Sequence, residues 1–357
     1  MKPASILLGY ELGTGKPVSI PVRHMAVTGI TQESGKTTTL EALIGRSRLR
    51  AVTFVTKRGE QAFSEYTRIP AYFREHCDWK FVSSVLEAFL EEKVKAERPY
   101  IMRACEGAQS LRDVQQNIRE VRKQSSGVRE ETIHYVLSQY LDELVPEIEA
   151  LATSTELKLA PGINVIDLSE YSTHLQSLVV SSVMEWIAER ETDVITLIPE
   201  AWEFIPRAHG SPCKTAAIRL ARKGACAGNF VWLDSQDLAS VDIEVRKMIS
   251  VYLLGVQREK NEVERTIAHI PEGNRRPTKA QVMQLERGWF YASFGREMHC
   301  CYVQPAWLDG DPDRAQKYAR EPLPSDYVAK PGPRMRRRRV AEVAQAEAVS
   351  SKKESVQ

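Results

Sequence analysis

The sequence has 357 residues, 43% hydrophobic and 27% charged, with 49 Lys and Arg against 47 Asp and Glu, a net charge of +2. That balance fits a globular protein and excludes collagen-like, coiled-coil and disulfide-rich classes. The charge is uneven: residues 330–357 carry eight basic and three acidic side chains, so this tail is +5 and the remainder −3, which excludes a uniformly basic DNA-coating protein but not a basic appendage.

In chain order, the first 17 residues have too short an apolar stretch for a signal peptide, and no run reaches about 18 apolar residues. Neither a leader nor a membrane span is expected, and the expected location is the cytoplasm. Residues 24–29 (His-Met-Ala-Val-Thr-Gly) and 51–56 (Ala-Val-Thr-Phe-Val-Thr) predict strands, with a helix over 37–47 between them. From 85 to 151 strand signals are lacking. Leu86, Phe89, Leu90 and Val94, then Ile133, Val136, Leu137, Tyr140, Leu141 and Leu144, recur at helical spacing and predict an all-helical insertion. Its Arg103, Arg112, Arg119, Arg122 and Lys123 line a surface or are simply solvated helix faces. Further strands are predicted at 163–168, after the Pro161-Gly162 breaker, at 194–198, 229–235 and 251–256, with a helix at 174–190. Residues 288–293 and 298–303, joined around Gly295, predict a hairpin.

Apolar strands alternating with helices imply an α/β fold, a mostly parallel sheet with helices on both faces. Prolines at 312, 322, 324, 331 and 333 then interrupt the pattern, and 341–357 is rich in Ala, Glu, Ser and Lys. The expected organisation is one domain over 1–310, with the insertion at about 85–151, and a basic, Pro-containing disordered tail over 311–357. Cysteines at 77, 105, 213, 226, 300 and 301 form no C-x-x-C pair and read as reduced thiols. His299-Cys300-Cys301 hints at a metal, but neighbours in a strand point to opposite faces.

The sharpest signal is Gly29-Ile-Thr31-Gln-Glu-Ser34-Gly35-Lys36-Thr37-Thr38, between a predicted strand and a predicted helix. That context suits a phosphate-binding loop, whose backbone N–H groups and helix start point at the phosphates. Gly29, Thr31, Ser34, Gly35, Lys36, Thr37 and Thr38 are therefore candidate nucleotide-binding residues. Lys36 would reach the β- and γ-phosphates and the Thr37 hydroxyl would ligate Mg²⁺, which makes ATP and Mg²⁺ the expected cofactors. The loop is one residue longer than G-x-x-x-x-G-K-[ST]. Gln32-Glu33 replaces the usual small residues, with Glu33 expected to point outward.

Hydrolysis at such a loop needs an acidic pair at the end of another strand. In Val194-Ile-Thr-Leu-Ile-Pro199-Glu200, Glu200 is the candidate general base and Pro199 stands where the metal-holding aspartate belongs. The plainer reading of Glu200 is a helix-start glutamate favoured by the dipole. Gln236, after Phe230-Val-Trp-Leu-Asp-Ser235, is a candidate γ-phosphate sensor or water-orienting group. Lys36, Glu200 and Gln236 all fall at the carboxyl ends of predicted parallel strands, where open α/β sheets bind ligands.

The order of these segments resembles the HerA/FtsK superfamily of ring-forming DNA-translocating ATPases, HerA in particular. Leu7-Leu-Gly-Tyr, Pro17-Val-Ser-Ile-Pro and Arg23-His-Met-Ala-Val-Thr-Gly are similar to its approach to the phosphate loop, and Gly162-Ile-Asn-Val-Ile-Asp-Leu-Ser to its central strand. Pro199-Glu200-Ala-Trp-Glu-Phe-Ile-Pro resembles its acidic strand end. Leu220-Ala-Arg222-Lys-Gly and Asp234-Ser-Gln236-Asp resemble its arginine-rich helix and Ser-Gln sensor. The resemblance covers roughly residues 5–304 and matches least in the helical insertion. It implies a P-loop NTPase fold of RecA/ASCE type and a homo-hexameric ring with ATP at subunit interfaces. One subunit would supply Lys36, Thr37 and Glu200, and its neighbour an arginine, for which Arg222 and Arg258 are candidates and Arg219 a third.

Departures accompany the resemblance. Only 23 residues precede the first predicted core strand, so HerA's N-terminal barrel is expected to be absent. The loop spacing differs, the metal aspartate is missing, and Gly224-Ala-Cys stands where the family has Gly-Arg-Lys. Basic loops in a ring pore would contact DNA phosphates without sequence preference, with residues 271–279 and 206–214 as candidates. The run from Arg334 to Arg339 is a tether for DNA or an acidic partner, or a solubilising tail. The expected function is an ATP-dependent, helicase-like translocase on double-stranded DNA, working with a nuclease or other effector. The alternative is an ATP-binding ring scaffold with weak hydrolysis, and the third reading a conjugation or genome-packaging motor.

Overall fold

The computed structural model describes residues 5–30, 34–60, 62–124, 127–151, 153–270, 276–324 and 327. The chain begins with β1 (Ser5–Glu11), β2 (Pro17–Pro21), β3 (Met25–Thr28), α1 (Lys36–Ser47), β4 (Arg50–Val55) and β5 (Thr67–Arg68). Four helices follow: α2 (Trp79–Leu90), α3 (Arg98–Cys105), α4 (Leu111–Gln124) and α5 (Val128–Glu149). Next come β6 (Ile163–Asp167), α6 (Thr173–Arg190), β7 (Val194–Ile198), α7 (Ala201–Phe204), α8 (Pro212–Lys223), β8 (Phe230–Ser235) and α9 (Ile243–Arg246). The last elements are β9 (Val251–Leu254), α10 (Lys260–Ala268), α11 (Lys279–Met283), β10 (Trp289–Phe294), β11 (Glu297–Val303) and α12 (Pro312–Arg320). Strands and helices make a mixed α/β fold, and the chain divides into two compact units.

One unit comprises 23–26 and 49–250. Its strands run in the order β8-β7-β4-β6-β5, all parallel. β7 is buried along its whole length, as a continuous Val-Ile-Thr-Leu-Ile run requires when both faces of a sheet are covered. The stretch 79–149 holds the four helices α2 to α5 and, among its described residues, no strand. Leu86, Ile101, Val114, Leu137 and Leu141 form their own cluster with Leu175 and Leu178 of α6. Asp78 caps α2 by accepting from the Lys80 and Phe81 backbone N–H groups at 3.0 and 3.2 Å. His24 is buried beside β8, where its Nδ1 accepts from the Val231 N–H at 3.0 Å. Burial pushes its pKa down, which favours the neutral ring that an accepting nitrogen needs.

The other unit comprises 1–22, 27–48 and 251–357. Its strands run in the order β2-β1-β11-β10-β9, antiparallel throughout. The expected hairpin is β10–β11, turning at Gly295, with Trp289 opposite Tyr302 and Phe294 opposite Glu297. The end of β3 is tied to the chain leaving β9: Gly255 N–H donates to the Thr28 carbonyl at 2.8 Å and Ile30 N–H to that of Val256 at 2.9 Å.

α12 falls in the stretch that its prolines had assigned to a disordered tail. Pro312 occupies the first turn, where a missing N–H costs nothing, and Asp311 caps the helix by accepting from Arg314 N–H at 3.1 Å. Ala315, Tyr318 and Ala319 then pack with Tyr10, Tyr302 and Leu308. This proline starts a helix rather than breaking one. The run from Arg334 to Arg339 and residues 341–357 lie outside the described residues.

All six cysteines are free thiols. His299 contacts Glu11 and Glu297, while Cys301 is buried. Among the described residues no group of three or more His, Cys, Asp or Glu could hold a metal ion, and no helix is long and apolar enough to cross a membrane.

Candidate functional site

The candidate phosphate loop opens at Gly29 (φ 148°), where an added Cβ would sit 2.7 Å from the Ser34 Cβ and Oγ, so only glycine fits. Ser34 Oγ donates to the Ile30 carbonyl at 2.8 Å and closes the turn from inside. Gly35 (φ 84°) is left-handed and starts α1 directly, a conformation glycine adopts without the cost a side chain imposes. Lys36 is buried, and its Nζ donates to the Gly29 carbonyl at 2.7 Å, so it joins the two ends of the loop. Thr31, Gln32 and Glu33, including the expected outward direction of Glu33, lie outside the described residues. Thr37 and Thr38 are half-buried in the first turn of α1, which contains no acidic residue, so its positive end is left for an anion. A magnesium ion here would rest on the Thr37 hydroxyl, nucleotide oxygens and water, a donor set that suits Mg²⁺.

A second constellation lies in the parallel unit. Register sets Val52 of β4 beside Thr196 of β7, and Ile198 of β7 beside Leu233 of β8. The carboxyl ends of the three strands are therefore neighbours, with β7 in the middle. Glu200 lies two residues past β7, Lys57 two past β4 and Gln236 one past β8. Glu200 Oε1 accepts from Lys57 Nζ at 3.1 Å and Gln236 Nε2 at 3.2 Å, and Oε2 accepts from Trp202 Nε1 at 3.2 Å. The Glu200 side chain is 12% exposed, and its backbone is left-handed at φ 43°. Such strain in a residue bearing a side chain costs of order 1–3 kcal/mol and collects at functional sites.

More carboxylates surround this group. Burial pushes the Glu60 and Glu203 carboxyls up against the opposing pull of Lys57, and the charges of Asp234 and Glu200 push Glu60 further the same way. For Lys57, burial acts downward, but the hydrogen bond to Glu200 and the charges of Glu200, Glu203 and Glu60 outweigh it and hold the ammonium above its ordinary value. Lys57 is thus the shared cation of an acidic cluster.

Glu200 and Gln236 come together at the ends of β7 and β8. Lys57 was not among the sequence candidates, although its place just past the predicted strand 51–56 and before Gly59 was a signal. Arg222 on α8 is exposed and pairs with Glu244 at 3.1 Å, and Arg219 pairs with Glu189 at 3.0 Å. Arg258, past β9 in the antiparallel unit, is exposed.

Of the two candidate DNA loops, 206–214 is tied down. Arg207 N–H donates to the Ser240 carbonyl at 2.8 Å, and Lys214 pairs with buried Asp242 at 2.7 Å. In the other, residues 271–275 lie outside the described residues, Arg276 donates to the Ile270 carbonyl at 2.6 Å, and Lys279 pairs with Glu264.

No family model and no curated protein matches the sequence. Solved structures do match. VirB4 of Thermoanaerobacter pseudethanolicus is similar at TM-score 0.63 and 12% identity, over 85% of this chain and 97% of that one. The genome packaging NTPase B204 of Sulfolobus turreted icosahedral virus 2 matches at 0.41 and 11%, over 79% and 96%. The pCW3 conjugation coupling protein TcpA matches at 0.39 and 11%, over 89% and 71%. The likeness to VirB4 shows the fold, the mixed α/β sheet of the P-loop NTPases.

Proposed function

We propose that this chain is a nucleotide-driven motor of HerA/FtsK type. It binds ATP with Mg²⁺ at the phosphate loop, hydrolyses it with Glu200 as general base, and moves double-stranded DNA. It works as a homo-hexameric ring in the cytoplasm with a nuclease or other effector as partner. The observation that carries this reading is the strand–loop–helix at Lys36, with its left-handed Gly35 and an α1 start free of acidic residues. Bound nucleotide would draw Lys36 Nζ from the Gly29 carbonyl to a phosphate, and Thr37 would hold the ion that neutralises phosphate charge. Glu200 accepts three hydrogen bonds, so one of these partners has to yield for the carboxylate to take a proton from water. Gln236 would orient that water. A neighbouring subunit would supply Arg222 or Arg258, with Arg219 third, all of which are exposed.

The second reading is a nucleotide-binding ring scaffold with weak hydrolysis. Two observations favour it: Pro199 stands where the metal aspartate belongs, and both Glu200 oxygens are occupied. A conjugation or genome-packaging motor is a third reading that uses the same chemistry. The test is steady-state ATP hydrolysis with and without double-stranded DNA, with Glu200→Gln as control. A motor is expected to be stimulated by DNA and to lose that stimulation in the variant. Tight ATP binding without turnover would favour the scaffold, and hydrolysis indifferent to both DNA and Glu200→Gln would sink the motor.

A further inference from the structure

A second segment backs the phosphate loop from within the same unit. Gly288 N–H donates to the Ser34 carbonyl at 3.1 Å. A Cβ placed on Gly35 would lie 3.5 Å from Gly288 N and 3.8 Å from Cγ of Arg287. Arg287 is exposed, but the backbone that carries it is held on both sides. Trp289 N–H donates to the Glu286 carbonyl at 3.0 Å, Val303 N–H donates to the Gly288 carbonyl at 2.9 Å, and Leu285 is buried. Lys36, on the other side of Gly35, is buried, with its ammonium on the Gly29 carbonyl. The Cγ of this exposed arginine therefore lies beside the start of α1, on a segment hydrogen-bonded to the loop that carries Lys36.

We propose that Arg287 is a phosphate-binding residue of the nucleotide site, a second cation beside Lys36 supplied by the same subunit. This rests on the nucleotide-binding reading above. Arginine suits the role because its planar fork can give two parallel hydrogen bonds to phosphate oxygens and keeps its charge at any working pH. The contact would be made in cis, unlike the arginine expected from a neighbouring subunit.

The test is calorimetric titration of the full chain with ATP and, separately, with tripolyphosphate, for wild type, Lys36→Ala, Arg287→Ala and Arg287→Lys. Wild type is expected to bind both and Lys36→Ala neither. Arg287→Ala should bind both about tenfold more weakly at unchanged melting temperature, and Arg287→Lys should recover part of the loss. Wild-type ATP affinity in Arg287→Ala would overturn the proposal. So would a loss confined to ATP, which would place Arg287 on the nucleoside instead. If wild type fails to bind ATP, or Lys36→Ala binds it equally well, the phosphate-loop reading itself falls, a result distinct from failure at Arg287 alone.

Discussion

Lys57 Nζ lies 3.1 Å from Glu200 Oε1, and the two residues project from the ends of neighbouring parallel strands, β4 and β7. Lys57 is the cation whose charge acts on Glu60 and Glu203 as well. Its removal leaves a group of carboxylates without their shared counter-charge and takes one of three hydrogen bonds from Glu200. Lys57→Met is expected to lower the turnover number roughly tenfold or more while nucleotide affinity stays at the wild-type value. Lys57→Arg should retain part of the rate. An unchanged turnover number in Lys57→Met would show that Glu200 needs no such holder.

In the motor proposed above Lys36 and Glu200 would act at different stages, so their variants should separate binding from chemistry. Lys36→Ala removes the hydrogen bond to the Gly29 carbonyl and, with it, the phosphate contact proposed above. Nucleotide binding should disappear at concentrations that saturate wild type. Glu200→Gln keeps the size of the side chain and loses the base. Binding should persist while turnover falls by about 10²–10⁴. Equal affinity of Lys36→Ala and wild type, measured with a fluorescent nucleotide, would refute the loop assignment.

The parts that were legible in the sequence are those set locally. β7 coincides with its apolar run, the β10–β11 hairpin turns at the glycine that marked it, and Gly35-Lys36-Thr37 opens α1 after β3. Lys57 was hidden because the strand order β8-β7-β4-β6 is not the chain order, and only that order brings 57 beside 200. The antiparallel flank β2-β1-β11-β10 joins residues nearly 300 positions apart, such as Gly9 with Val303, through backbone bonds that leave no periodic mark. α12 was read as tail because proline breaks helix interiors, whereas at the first turn it starts them.

α12 makes a stability prediction. Its Ala315, Tyr318 and Ala319 cover Tyr302, which is fully buried beneath them. A chain ending after Tyr327 keeps this cluster and should melt with wild type. A chain ending at Gly310 exposes Tyr302 and Tyr10 and should lose several kcal/mol, at about 1.5–3 kcal/mol per large side chain uncovered. The melting temperature should then fall by roughly 2–4 °C for each kcal/mol. Equal melting of the two truncations would show that α12 adds nothing to stability.

His76 Nε2 lies 2.8 Å from Glu185 Oε2 of α6, just ahead of α2. That hydrogen bond raises the His76 pKa above its ordinary 6.5, against the downward effect of burial, and the Glu185 charge acts the same way. The folded state therefore holds the proton more tightly than the unfolded chain. The stabilisation is fully present below about pH 6.5 and is lost as pH rises through the raised folded value. Buried His24, whose pKa is pushed down, gives the opposite slope, so the pair is read from the difference between wild type and His76→Gln. The gap between their urea midpoints should be widest below about pH 6.5 and close as the pH rises above it, with a size of about 1 kcal/mol or less for a partly exposed pair. A gap that stays constant or widens with pH would mean that His76 holds Glu185 by packing rather than by charge.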